Sequence, residues 1–126
     1  MAGTFRVGLL GHGTVGAAFA ALLAERADAI ATVTGLRPEV SGVLTRSRGS
    51  FEEILERSDL VVELMGGTEP AREYAIAAMR AGKPVVTANK QLLAQAGDEL
   101  FAVAREAGVQ LRFEAAVAAV IPSIPS

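Results

Sequence analysis

Three glycines, Gly11, Gly13 and Gly16, stand as G-x-G-x-x-G within the stretch GLLGHGTVG. That spacing does chemistry when it follows a strand and opens a helix. The first glycine permits a tight turn, the second lets the backbone approach a pyrophosphate, and the third lets helix and strand pack closely. The helix N-terminus then offers free amides and a partial positive charge to the phosphates. Both flanks are present here, since an apolar run precedes the glycines and a helical period follows them. The competing reading is a glycine-rich turn that merely packs. His12, inside the turn, reads as an exposed loop residue and not as a catalyst.

A second stretch, GVLTRSRGS, supplies Thr45, Arg46, Ser47 and Arg48 where enzymes using NAD usually carry an acid for the ribose 2′-hydroxyl. Two arginines suit a 2′-phosphate that a carboxylate would repel, so Arg46 and Arg48 favour NADP(H), with NAD(H) the alternative. They could equally be solvated strand-end charges. In VVELMGGTEPA, Gly66 and Gly67 let the backbone pass close to a ligand at a strand's carboxyl end, while Glu63 is either a buried polar anchor, the reading favoured, or a strand-edge residue. In GKPVVTANKQLLA, Thr87, Asn89 and Lys90 reach the same edge if the sheet is doubly wound, with Lys90 facing the nicotinamide side of the crevice. The alternative for Lys90 is a solvated charge at a helix start.

These residues need a frame that gathers strand ends. Apolar runs bounded by glycines alternate with helical periods, the pattern of a parallel sheet with crossover helices. Strands are expected at Phe5–Leu10, Val40–Thr45, Leu60–Leu64, Val85–Thr87 and Val109–Glu114, the last buried on both faces. Thr14 to about Arg26 is expected as a helix burying Val15, Phe19, Leu22 and Leu23, whereas Asp28–Pro38 reads as weak helix and then turn. Ser50 with Glu53 forms a capping box for a short helix ending at Arg57. Further helices are expected at Glu69–Ala81, with Pro70 in the first turn and Gly82 at the C-terminal cap, and at Gln91–Ala107, broken near Gly97 and capped by Gly108. The fold class is α/β: a Rossmann-type, doubly wound, mainly parallel sheet with helices on both faces.

Composition narrows the classes. A chain of 126 residues, 51% hydrophobic and 21% charged, is one globular domain, and its many alanines and valines suit helices laid closely on a sheet. The formal net charge is −2 with dispersed basic residues, so nucleic acid and anionic membrane are not expected as partners. No cysteine is present and only one histidine, which removes disulfides, thiol catalysis and histidine-based metal sites. With no run near the roughly 20 apolar residues of a membrane span, and a poor signal-peptide pattern, the chain reads as cytoplasmic. The ending AAVAAVIPSIPS closes no element, so residues 1–126 read as the front part of a longer protein, or one cut at a domain boundary.

GLLGHGTVG, VVELMGG, VVTANKQLLA and FEAAVAAVIP, in this order, make the chain similar over nearly its whole length to the cofactor-binding part of homoserine dehydrogenases. TANK together with FEAAVA and IP is the specific part of the match. The resemblance implies NAD(P)(H)-dependent interconversion of L-homoserine and L-aspartate 4-semialdehyde, on the pathway to threonine, isoleucine and methionine. It implies dinucleotide contacts along the turn from Gly11 through Gly13 and Thr14 to Val15, at Arg46 and at Lys90, with Lys90 in an assisting role and no catalytic residue proper within these 126. It further implies a small-molecule substrate bound in a later domain, a homo-oligomer at full length, and a sodium site held largely by carbonyls at Glu114, Val117, Ala119 and Ile121. The chain departs from the family at Ala119 and Val120, where the pattern usually has two glycines, and the added side chains would crowd that carbonyl turn. Two other readings remain: a related amino-acid dehydrogenase such as aspartate dehydrogenase, and a dinucleotide-binding module without catalysis.

Overall fold

The computed structural model describes residues 3–11, 13–45 and 49–113, with residues 13–15 described by their backbone alone. Among the described residues four helices and five strands alternate: β1 (Gly3–Leu10), α1 (Gly13–Thr34), β2 (Leu36–Leu44), α2 (Phe51–Arg57), β3 (Leu60–Glu63), α3 (Ala71–Arg80), β4 (Val85–Thr87), α4 (Lys90–Ala107) and β5 (Leu111–Phe113). All strand pairs are parallel and the sheet order is β2-β1-β3-β4-β5. From β1 the chain moves one way to β2, then returns past β1 to β3 and onward. That reversal makes the sheet doubly wound.

Side chains alternate across the sheet as the two-residue strand period requires. Leu10, Leu44, Val61, Val85 and Leu111 pack under α2, α3 and α4 with Ile54, Ala75, Met79, Leu92, Leu100 and Val103. Val7, Leu9 and Val62 turn to the other face, where Phe19, Ala20 and Leu23 of α1 cover them. Small residues set how closely α2 lies on the sheet. A Cβ at Gly8 would stand 2.3 Å from Ser58 Oγ, and one at Gly42 would stand 2.9 Å from Ile54 Cγ1. Ser58 is buried and its hydroxyl donates to the Ile54 carbonyl at 2.5 Å, so it adds no unsatisfied group there.

Several boundaries differ from expectation. Helix α1 continues through Asp28–Thr34 and stops only at Gly35, whose φ of 77° ends it and whose amide bonds the Ala31 carbonyl at 2.9 Å. Strand β2 starts at Leu36 and runs through Pro38, which is tolerated because β2 is an edge strand and need not donate outward. Helix α3 starts at Ala71 with Pro70 at its N-cap. Helix α4 passes through Gly97 without a break. Strand β5 is the other edge of the described sheet. Leu111 is buried but Arg112 is exposed and Phe113 half-buried, so burial on both faces is not found. The Ser50 cap is present, its side chain accepting from the Glu53 amide.

Candidate functional site

In an open α/β sheet, ligands lie beyond the carboxyl ends of the strands, where neighbouring crossovers diverge. Here that place is between β1 and β3. Gly11 follows β1 directly and is held from both sides: its amide donates to the Leu44 carbonyl at 3.0 Å, while the Leu64 amide donates to the Leu10 carbonyl at 2.7 Å. Its φ of 129° is a left-handed value that disfavours side chains, and a Cβ would stand 2.8 Å from the Leu64 carbonyl carbon. Glycine is therefore required at position 11 twice over, by dihedral and by space. Gly16 lies one helical turn on, where a Cβ would meet the Gly11 carbonyl oxygen at 3.2 Å, so its absence lets α1 start tight against the turn. Gly13, Thr14 and Val15 form the first turn of α1, whose free amides end at this crevice.

A cavity of about 390 Å³ opens beside the turn, lined by Gly11, Leu44, Thr45, Met65, Gly66 and Tyr74 among others. Tyr74 is backed by Phe51, with ring centroids 4.4 Å apart. The position and mixed lining fit the adenosine half of a dinucleotide laid across the Gly11 turn. Met65 and Tyr74 were not legible as site residues from motif spacing, because each reaches the crevice through the crossover from β3 to α3. A second cavity of about 120 Å³ lies farther along the same edge, lined by Leu64, Gly66, Ala88 and Asn89. Gly66 and Gly67 have φ of 76° and 72° and nothing within 4 Å of an added Cβ. Backbone conformation, not crowding within the chain, requires glycine there.

The end of β4 is built around Glu63, the polar anchor expected in β3. Its carboxylate is fully buried and accepts from the Met65 amide and from the Thr87 hydroxyl, each at 2.6 Å. Thr87 Oγ1 in turn accepts from the Asn89 amide at 3.0 Å. Asn89 caps α4 by accepting from the Leu92 amide at 3.0 Å, and its Nδ2 donates to the Gly67 carbonyl at 2.6 Å. Thr87 thus reaches the expected edge with a fully buried side chain whose hydroxyl is engaged inside the protein. Lys90 follows at the first helical position and is exposed. Helix α3 is joined to α4 by Arg72, which donates to Glu99 at 2.6 and 2.5 Å, and the loop before α3 is joined to α4 by the Thr68 hydroxyl bonded to Gln95. The Arg72 guanidinium holds the Glu99 carboxyl below the usual carboxylate range.

Arg46 and Arg48, with Ser47 and His12, lie outside the described residues, as do Glu114, Val117, Ala119 and Ile121. Among the described residues no group of three or more His, Cys, Asp or Glu could hold a metal ion, and no helix is long and apolar enough to cross a membrane.

Known proteins share this arrangement. The family model described as "Homoserine dehydrogenase, NAD binding domain" matches residues 11–114. The chain is 42% identical over 133 residues to a homoserine dehydrogenase of Corynebacterium glutamicum and 40% identical over 133 residues to one of Neisseria gonorrhoeae, covering 94% of this chain in both cases. It spans about a third of the length of these curated relatives, 30% and 31%. The crystal structure of the Thiobacillus denitrificans homoserine dehydrogenase superposes with a TM-score of 0.84 at 38% identity, over 92% of this chain and 31% of that one. A hyperthermophilic archaeal homoserine dehydrogenase in complex with NADPH superposes with a TM-score of 0.74 at 24% identity, over 90% of this chain and 44% of that one, a likeness of fold alone. With a glycine turn at the switch point of a parallel sheet and a family match across most of its length, the chain belongs to the NAD-binding domains of homoserine dehydrogenases.

Proposed function

We propose that this chain is the dinucleotide-holding part of an oxidoreductase that interconverts L-homoserine and L-aspartate 4-semialdehyde, with NADP(H) preferred over NAD(H). The supporting observation is the Gly11 turn. It sits at the divergence of β1 and β3, needs glycine for both dihedral and space, and faces the 390 Å³ cavity. The residues fit the cofactor. Amides of the Gly11–Gly16 turn take the pyrophosphate, Gly66 and Gly67 let the backbone run beside it, and Asn89 and Lys90 border the nicotinamide half, with Thr87 supporting them from behind. Arg46 and Arg48 are assigned to the adenosine 2′-phosphate on sequence grounds. When bound, the nicotinamide ring supplies or accepts the hydride. Lys90 contributes a positive charge beside the reacting end. The proton-transferring group and the substrate-binding acids belong to a domain other than these residues, in an oligomeric, cytoplasmic enzyme. A sodium site at Glu114, Val117, Ala119 and Ile121 rests on resemblance alone. The rival readings, an aspartate dehydrogenase-like enzyme and a module without catalysis, are not favoured, because the curated relatives at about 40% identity carry the homoserine dehydrogenase name.

Paired titration of NADPH and NADH tests the cofactor assignment. The parent should bind NADPH more tightly. Arg46→Asp should lose roughly tenfold or more for NADPH and little for NADH, since a carboxylate repels a 2′-phosphate yet accepts from a 2′-hydroxyl. Equal weakening of both cofactors, or a parent that prefers NADH, would remove the NADP preference. No binding of either would remove the dinucleotide reading itself.

A further inference from the structure

We infer that Glu63 and Thr87, acting through Asn89, form a positioning clamp that sets how the nicotinamide half of the dinucleotide is held, although neither Glu63 nor Thr87 touches it. The inference rests on the dinucleotide reading above. Both residues are 0% exposed, so any influence on a ligand must pass through what they hold. They hold the two loops that border the smaller cavity. One carboxylate oxygen of Glu63 takes the Met65 amide, in the loop after β3, and the other takes the Thr87 hydroxyl, at the end of β4. A carboxylate only accepts, which commits the hydroxyl proton to Glu63 and leaves Thr87 Oγ1 to receive the Asn89 amide. Asn89 closes the circuit by donating to the Gly67 carbonyl, back in the loop after β3.

A buried carboxylate is a costly way merely to join two strands, for an apolar pair of similar volume would hold them at least as well. What an apolar pair lacks is direction. The Glu63 network dictates the orientation of one peptide amide in each loop and fixes their separation at the cavity lined by Leu64, Gly66, Ala88 and Asn89. Neither Glu63 nor Thr87 lines the larger cavity by Leu44, Thr45 and Tyr74, where the adenosine half is assigned; the Glu63 arm of the network reaches Met65, which does line it, whereas the Thr87 arm reaches Asn89 at the smaller cavity. Loss of the Thr87 arm should therefore be felt at the nicotinamide end of the ligand and not at the adenosine end.

That asymmetry is the test. NADPH and 2′-phospho-ADP-ribose, the same molecule without its nicotinamide, are titrated into the chain and its variants, with thermal melting followed by circular dichroism. Thr87→Val removes the hydroxyl while keeping the shape. It should weaken NADPH roughly tenfold, as expected for a broken buried network, and change 2′-phospho-ADP-ribose by less than about twofold. Thr87→Ser, which restores the hydroxyl, should recover the affinity for NADPH. If Thr87→Val does not fold, Thr87→Ala serves in its place: it also removes the hydroxyl and leaves the Met65 bond to Glu63 intact, so it should show the same selective loss. Equal weakening of both ligands, unchanged binding of both, or failure of both variants to melt cooperatively would overturn the clamp. A parent that binds neither ligand would instead remove the dinucleotide reading on which the clamp stands.

Discussion

At the scale of single residues, three glycines in this chain do three different jobs, and substitution separates them. Gly11 combines a φ of 129° with a backbone carbonyl 2.8 Å from where a Cβ would be, so Gly11→Ala should both destabilise the fold and displace the phosphate-facing amides. Gly8 has no unusual dihedral, yet its Cβ would lie 2.3 Å from Ser58 Oγ and 2.9 Å from Ile54 Cγ2. Gly8→Ala should cost about 1–3 kcal/mol through overpacking under α2, while dinucleotide affinity per folded molecule stays near that of the parent. Urea denaturation with cofactor titration distinguishes the two. A Gly8→Ala variant of undiminished stability would mean that α2 is free to lift from the sheet. Gly97 is the opposite case, with nothing within 4 Å of a Cβ and a helical environment on both sides. There the missing side chain only raises the entropy lost on folding, so Gly97→Ala should stabilise by about 0.5–1 kcal/mol. A lower melting temperature would show that α4 is not continuous through that position.

Elements were legible in the sequence to the degree that local chemistry decided them. The Gly11–Gly16 turn was legible because ligand chemistry and backbone geometry ask for the same residues there. The serine cap at Ser50 and the αL stop at Gly108 were legible because each is satisfied within a few residues, although the Ser50 hydroxyl bonds Glu52 and the return bond from the Glu53 side chain, the other half of the box, is not found. The tail of α1 was not, since Asp28–Thr34 has weak intrinsic helix preference. It continues from the buried Ala27 of the preceding turn to Gly35, whose amide bonds the Ala31 carbonyl and whose positive φ ends it. The stop signal, Gly35 before Leu36, was present in the sequence but was masked by Pro38 three residues on. The exposure of β5 could not be read from β5 at all, because being an edge is a property of the strand order. Glu63 was legible as an anchor, but the commitment of Thr87 to it was not, since no spacing rule pairs residues on β3 and β4.

For the molecule as a whole, two carboxylates link stability to acid. The Asp59 carboxyl is held below the ordinary range, chiefly because the Arg6 amide donates to it at 2.8 Å, and the Arg6 side chain adds to the effect. Glu99 is lowered by Arg72, whose guanidinium stays charged throughout. In both, the folded value lies beneath the unfolded one. Their stabilisation is complete above the unfolded carboxylate range near pH ~4 and disappears as pH falls through the lowered folded values. Asp59→Asn should flatten the acid limb of a melting-temperature profile and leave the neutral plateau lower. Added salt should reduce the Glu99 share more than the Asp59 share, because an exposed ion pair is screened while a backbone hydrogen bond is not. An acid limb unchanged in both Asp59→Asn and Glu99→Gln would show that other groups govern it.

Strand β1 precedes the other described strands but lies inside the sheet, with β2 on one side and β3 on the other, and its Val7–Leu10 edge pairs with Leu60–Glu63. When β1, α1 and β2 assemble first, one side of β1 keeps its unpaired backbone until β3, which ends 19 residues after β2, has also been made. That nascent intermediate displays an apolar, hydrogen-bond-hungry rim, the surface to which a second nascent chain would adhere. A truncated polypeptide ending at Arg57 should accordingly precipitate on refolding, and extending it through Phe113, which pairs β3 with β4 and lays α3 and α4 on the sheet, should restore a species that stays in solution, as sedimentation after dilution from denaturant would reveal. The same interior placement of β1 that brings the glycine turn to the switch point leaves the partly made sheet open along that strand.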